Sequence, residues 1–204
     1  MKKWIKWFII GIIILFVIIF LAGIAGIYNG MIIYNGMISR DQKVVAQWAQ
    51  VENVYQRRAD LIPNLVSTVK GYADFEKSTL TAVIEARSKA TSIQINPEKL
   101  DAESLQQFQQ AQDQLSSALS RLMVVVERYP DLKANQNFLE LQAQLEGTEN
   151  RIATERKRFV ETTMNYNIYI KRFPNNLFAK IFGFQEKPTF KATEGSEKPP
   201  KVEF

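Results

Sequence analysis

The chain has 204 residues, a formal net charge of +5, and neither cysteine nor histidine. Disulfides, thiol nucleophiles, Cys/His zinc sites, Ser-His-Asp triads and histidine acid–base chemistry are therefore excluded together. The basic balance does not point to nucleic acid: Lys2, Lys3 and Lys6 stand in a first stretch without acids, and taking those three from +5 leaves +2 for the rest.

Between Lys6 and Arg40 there is no charged side chain. Trp7 to Tyr28 reads WFIIGIIILFVIIFLAGIAGIY, and as a helix it spans about 33 Å, against the ~30 Å hydrocarbon core of a bilayer. A positive start before an apolar run also describes a signal peptide, and Ala22, Gly23, Ala25 and Gly26 resemble a cleavage region. The apolar character continues to Ile33, beyond the usual signal core, which favours a retained anchor. Trp4 and Trp7 mark one interface, Tyr28 and Tyr34 the other. The leading lysines place the N-terminus in the cytoplasm and the remainder outside.

Ala22, Gly26 and Gly30 are spaced four apart, a small-residue ridge of the kind that lets membrane helices approach. Glycine is also simply common in such helices, so the ridge has a plain reading beside the functional one. The sequence YNGMI occurs at 28–32 and again at 34–38. A six-residue offset turns a helix about 600°, so the copies do not share a face, and the repeat reads as a lengthened helix exit.

From Val44 the apolar residues fall into step at Val44, Trp48, Val51 and Tyr55, then Ile62, Leu65, Val69 and Tyr72, with Arg58 in the missing place. That spacing predicts a helix packed lengthwise on others. Pro63 is expected to kink or divide it near Asp60–Ile62, with Asp60 capping the second part. Helical character returns through Phe75, Leu80, Val83 and Ala86 and fades at Thr91–Ile95. Asn96-Pro97-Glu98 is a helix-start signal. The next seam is Leu105, Phe108, Ala111, Leu115, Ala118, Leu122, Val125 and Tyr129, with glutamines at 106, 107, 109, 110, 112 and 114 on its outer face. Tyr129-Pro130-Asp131 ends it.

A third long helix is expected from Lys133–Asn137 to about Arg172, with its seam at Phe138, Leu141, Leu145, Thr148, Ile152, Glu155, Phe159, Tyr166, Ile170 and Phe173. Thr148 and Glu155 are polar there. The simpler account lets the seam reach solvent; the sharper one makes a buried polar layer with Arg58 that fixes register. Asn175-Asn176 are candidate caps for a short apolar turn, Leu177 to Phe182, ended by Gly183.

The expected fold is all-α: an N-terminal transmembrane helix followed by a long antiparallel bundle of three to four helices with coiled-coil-like packing. Residues 1–38 form the anchor and exit, 39–184 the bundle, and 185–204 an extended or disordered tail carrying Pro188, Pro199 and Pro200. Its last residues, Lys201 to Phe204, are a loose end or a clip onto a neighbour.

Arg57-Arg58-Ala59-Asp60-Leu61-Ile62-Pro63-Asn64-Leu65-Val66, then Val69-Lys70-Gly71-Tyr72, resembles the signature of the LemA family. So do Leu132 to Phe138, Thr148 to Ala153, Tyr166-Asn167, Phe173 to Leu177 and Pro200 to Phe204, in order along nearly the whole chain. The doubled YNGMI departs from that pattern. The resemblance implies a bacterial membrane protein with one N-terminal span and a long helical bundle, and it brings no established activity. It also implies a link to membrane invagination, through a related magnetosome protein, and gene neighbourhoods that hold membrane peptidases.

Candidate helix–helix or partner contacts are Arg58, Asp60, Pro63, Asn64, Glu149, Arg151 and Glu155; candidate transmembrane contacts are Ala22, Gly26 and Gly30. Structurally, Arg58 is expected to pair with Glu149 or Glu155 across the bundle. Glu146, Glu149 and Glu155 with Asp131 or Asp60 could hold a hard cation, but the Glu-x-x-His motif of di-metal bundles cannot occur here. Arg151, Arg156, Lys157 and Arg158 interleave with acids as a solvated face. No catalytic, metal or cofactor residue is expected, and no nucleic-acid partner. The preferred function is a non-enzymatic, self-associating scaffold at a bacterial inner membrane, contacting lipid and organising or shaping it. The alternatives are an adaptor that holds an envelope protein such as a membrane peptidase through the Arg57–Tyr72 surface, or a carboxylate-based enzyme or ligand-binding domain.

Overall fold

A computed structural model describes residues 2–71 and 76–191. The elements are α1 (Lys2–Lys70), α2 (Lys77–Ser92), a 3-10 turn (Pro97–Lys99), α3 (Ala102–Val126), the single turn α4 (Pro130–Lys133), α5 (Gln136–Lys171) and α6 (Asn175–Phe182). No strand occurs among the described residues. The described residues gather into two compact units: 2–42 with Tyr166–Glu186, and 43–71 and 76–165 with 187–191.

In the second unit α1, α2, α3 and α5 form an antiparallel bundle. Gln47 bonds Glu155 while Arg58, further on, bonds Glu149, further back, so α1 and α5 run in opposite directions. Trp48 meets Phe108 and Arg58 meets Ser116, both rising, so α1 and α3 run the same way. α2 makes the return between them. The helices therefore alternate up and down with short connections.

The seams of α1 and α5 bury largely as their spacing predicts, whereas at the end of α3 Val126 is buried in place of Val125, which is half-buried like Tyr129. Val44, Trp48, Val51, Tyr55, Ile62, Leu65 and Val69 face inward from α1. On α5 the buried line is Phe138, Leu141, Leu145, Thr148, Ile152 and Phe159, with Thr163 in the place where the apolar spacing skips. Tyr72, expected to extend the α1 pattern, and Phe75, expected to open the next helical stretch, lie outside the described residues. Burying such a side chain contributes roughly 1.5–3 kcal/mol, and it is this stripe, more than helix propensity, that holds each rod.

Four local expectations are corrected. First, α1 does not divide at Pro63 but runs unbroken to Lys70. Pro63 is exposed, so its ring meets solvent, and the carbonyl its missing N–H would have bonded, Ala59 O, accepts from Arg87 Nε of α2 at 2.7 Å. Asp60 consequently caps nothing; it is exposed and accepts from Gln56 Nε2 at 2.7 Å. Second, Asn96 starts only the 3-10 turn, and α3 begins after Asp101, whose carboxylate accepts from Ser104 N. Third, Phe173 is not the last rung of the α5 seam but is exposed. Fourth, Asn175 does not cap α6; its amide donates to Tyr169 O at 2.9 Å.

In the first unit, α1 is apolar on every side from Trp7 to Ile32 and exposed. An 18-residue window of it is wholly unburied, and the helix is long and apolar enough to cross a membrane. Asn29 turns its amide onto Ala25 O at 2.8 Å, satisfying itself within the helix. α6 ends at Gly183, whose φ of 77° is the left-handed conformation that closes a helix without a Cβ clash.

Candidate functional site

Arg58 is the chemical centre of the bundle. Its place on the α1 seam forces it inward, and it is 1% exposed. A guanidinium held out of water needs its donors matched by acceptors. Nη1 donates to Ser116 Oγ and Glu149 Oε2, each at 2.8 Å. Nη2 donates to Gln112 Oε1 at 2.7 Å and Gln112 O at 3.3 Å. The Tyr55 ring lies under it, 5.2 Å from the guanidinium carbon. Gln112 passes the connection on, its amide donating to Ala90 O at the end of α2. One arginine thus ties α1, α3 and α5 directly and α2 through Gln112. Arg87 bonding Ala59 O adds a second α1–α2 link one residue along. Arg58 Nε and, about three turns earlier on α1, Trp48 Nε1 are buried without a hydrogen-bond partner among the described residues. Burial pushes the Tyr55 phenol above its ordinary pKa, while Arg156 and Arg58 pull it back down.

Below Tyr55 in sequence lies an aromatic nest. Trp48 packs edge-on to Phe108 at 5.4 Å and to Phe159 at 5.3 Å, and stacks on Phe190 at 6.0 Å. Phe190 belongs to the irregular segment after α6, with Arg156 over its ring at 4.5 Å. Lys187 is buried and donates to Pro97 O, and Gln109 donates to Lys191 O, so residues 187–191 are strapped along this unit. The clip expected at Lys201 to Phe204 lies outside the described residues.

The other constellation is in the first unit, where α1 meets the end of α5 and α6. At Gly36 an added Cβ would run into the Tyr169 hydroxyl, so glycine is what lets the ring lie there. Arg40 covers the same ring at 3.7 Å and bonds Gly36 O. At Gly30 the neighbour is Phe178, 3.1 Å from where a Cβ would stand. Tyr34 meets Phe182 at 4.9 Å and Phe184 at 5.9 Å. Tyr166 is buried, donates to Gln185 O at 2.9 Å, and has its phenol pushed up to about 12 by burial, with Asp41 adding to the shift.

The sequence-predicted site residues therefore divide. Arg58 and Glu149 are brought together as a cross-bundle pair. Glu155 is not part of it: its carboxylate takes Gln47 and Arg158, each at 2.7 Å. Of the two accounts of the polar seam, the buried layer describes Thr148 and Arg58, and the half-buried Glu155 edge follows the simpler one. Gln112, assigned to the solvated face, is buried as Arg58's partner. Asp60, Pro63, Asn64 and Arg151 are exposed. Ala22 and Gly26 are exposed with open space at Gly26, whereas Gly30 is already covered by Phe178. Among the described residues no group of three or more acidic side chains is placed to hold a metal ion. Sequence reasoning missed Gly36–Tyr169–Arg40 and Arg87–Ala59. The signals were present: a glycine in each copy of YNGMI, and a proline whose partner carbonyl had to be satisfied elsewhere.

A helix greasy on all sides, continuous with one rod of an antiparallel bundle, defines a membrane-associated helical protein. The LemA family matches residues 47–204, and the chain belongs to that family. Among curated proteins it is similar to the magnetosome protein MamQ 2 of Paramagnetospirillum magneticum, 26% identical over 204 residues, 91% of this chain and 74% of the relative. It is also similar to the magnetosome protein MamQ of Magnetospirillum gryphiswaldense, 24% identical over 81% of this chain and 67% of the relative. Protein LemA of Metamycoplasma hominis is 23% identical over 88% of this chain and 78% of that protein.

Proposed function

We propose that this chain is a single-pass, non-enzymatic scaffold of a bacterial inner membrane that self-associates and organises or shapes the bilayer. The observation that carries the reading is the unburied apolar girdle of α1, which has no use in water. Two further facts support it. The strongest polar group in the bundle, Arg58, is consumed in holding four helices in register. Two of the relatives are named as magnetosome proteins. On this reading the lysine-rich start lies in the cytoplasm and the bundle in the periplasm. Full-length protein reconstituted into vesicles, imaged by electron microscopy and sized by light scattering, should give particles of many copies and deformed membranes. A clean monomer on unchanged vesicles, with no crosslinked species in cells, would overturn it.

A second reading is favoured by one feature. Arg57, Asp60 and Asn64 are exposed along one side of α1, three and four residues apart, and are free of any helix-packing duty. An adaptor would present that ridge to an envelope protein such as a membrane peptidase. Recovery of the same partner by folded Arg57→Ala and Asp60→Ala proteins would retire the face.

A further inference from the structure

α6 is eight residues long, too short to persist on its backbone bonds alone. One side of it is fixed to α1: Phe178 covers Gly30, Phe182 stands edge-on to Tyr34, and Ala179 is buried. The opposite side is also apolar but is not covered by any of the described residues. Leu177 and Ile181, four residues apart on α6, are 51% and 73% exposed, and Phe173, in the turn that leads into the helix, is 81% exposed. Isolated apolar side chains on a surface are ordinary, but three large ones within nine residues, two of them on one helix face, are not. Arg172 and Lys180, both exposed, flank that stripe.

The position of α6 says what covers the stripe. Gly30 and Tyr34 belong to the turns in which α1's all-round apolar girdle ends, and Ile27, Tyr28 and Met31 beside them are exposed. The uncovered face of α6 therefore continues the apolar surface of the span at the level where the span leaves the hydrocarbon. A short helix with an apolar stripe and flanking cations at that depth has the character of an interfacial element, its large side chains at the headgroup–acyl boundary and its cations at lipid phosphate.

We propose that α6 is a second membrane contact: it lies in the leaflet from which α1 emerges, inserting Phe173, Leu177 and Ile181 among the acyl chains. The contact is intrinsic to one chain. It rests on the membrane-anchored reading of α1 but not on self-association. One inserted short helix per protomer widens one leaflet and not the other, which gives a scaffold of this kind a local means of bending the bilayer.

The absence of native cysteine makes the test direct. Single substitutions Leu177→Cys and Ile181→Cys are spin-labelled in the full-length protein, with Ile19→Cys as the lipid reference and Lys157→Cys as the aqueous one. Each is reconstituted at one copy per nanodisc of phosphatidylethanolamine and phosphatidylglycerol. Relaxation by oxygen, which concentrates in lipid, is compared with relaxation by a water-soluble nickel chelate. The expected result is that labels at 177 and 181 favour oxygen as the Ile19 label does, while the Lys157 label favours nickel. Water-like labels at 177 and 181 beside a lipid-like Ile19 label overturn the proposal and leave the anchor standing. A water-like Ile19 label overturns both. Shielding of 177 and 181 that arises only when several copies share a disc assigns the stripe to a second copy of the chain and also overturns it.

Discussion

Two stretches of α1 are written in different patterns. From Trp7 to Ile32 large apolar side chains point in every direction and nearly all are exposed. From Val44 to Val69 they gather on one buried face, flanked by half-buried Val45, Val54 and Leu61, with charge and amide groups on the far side. A helix records its surroundings in this way: apolar all round where the medium is lipid, striped where protein covers one side and water the other. The means of setting register differ as well. In the bundle it is a polar layer around Arg58, where a slip of one turn would strand a buried charge. In the first unit it is shape, with rings seated on Gly30 and Gly36.

The sharpest way to break this contrast is to remove Arg58. Arg58→Leu keeps volume near the seam but leaves the Gln112 side chain buried with an acceptor unmet. Glu149, whose side chain is 55% exposed, turns to water and limits the loss. The expected destabilisation is about 3 kcal/mol in reversible unfolding of the purified protein. Arg58→Lys should recover little of it, since one ammonium cannot reproduce a planar fork reaching three side chains. An Arg58→Leu protein as stable as the original would show that the layer adds nothing to stability and that the apolar seam suffices.

Next in size is the glycine series, which sharpens the other side of the contrast. Gly36→Ala drives a methyl into Tyr169; the phenol tip swings away and gives up its contact with Arg40, at a cost of about 2 kcal/mol. Gly30→Ala requires the Phe178 ring to give by only a few tenths of an ångström and should cost about 1 kcal/mol. Gly26→Ala meets nothing within 4 Å and should leave folding unchanged. If Ala22 and Gly26 form an association ridge, Gly26→Ala should nonetheless weaken self-association, read by crosslinking in membranes. Equal losses from all three would mean that shape complementarity is not what orders the first unit.

The elements and seams were legible in the sequence because spacing is a one-dimensional signal. Val44, Trp48, Val51 and Tyr55 announce a stripe whatever they touch. The partners were not legible, because partnership depends on rotation and level. Glu149 and Glu155 are both acids near the α5 seam, and only the register of α5 against α1 decides that Arg58 meets the first. Gln112 sits among five other glutamines in sequence and is separated from them only by its angle on α3. The uninterrupted α1 was obscured for a different reason: the local rule for Pro63 is correct, but the compensating donor, Arg87, arrives from another helix. Gly36 carried the weakest signal of all, since a glycine at a helix exit is ordinary until Tyr169 stands over it.

That compensation is itself testable, with a smaller effect. Arg87→Ala leaves Ala59 O without a donor and should cost about 1 kcal/mol. Pro63→Ala restores an N–H to the same carbonyl, so in the Pro63→Ala background the Arg87→Ala loss should shrink towards zero. A double-mutant cycle measures this coupling directly. Additive losses would mean that Arg87 acts through general packing and that the carbonyl is satisfied by other means.

The last effect is a change of slope with pH, small at neutral pH, and it belongs to Tyr166. Its phenol is buried and donates to Gln185 O, and burial pushes its pKa up to about 12 from an ordinary value of 10.0. Below pH 10 the phenol is neutral in both folded and unfolded chains, and its contribution is fully present. Between about 10 and about 12 the unfolded chain releases the proton first, so unfolding gains from each step up in pH and stability falls. Other groups also titrate there, Tyr55 among them, and the signal is therefore the difference between the original protein and Tyr166→Phe. Tyr166→Phe should be somewhat less stable at pH 8, having lost the bond to Gln185, and should decline less steeply across that alkaline window. Parallel declines in the two proteins would place the Tyr166 phenol in contact with water and remove it from the buried packing of the first unit.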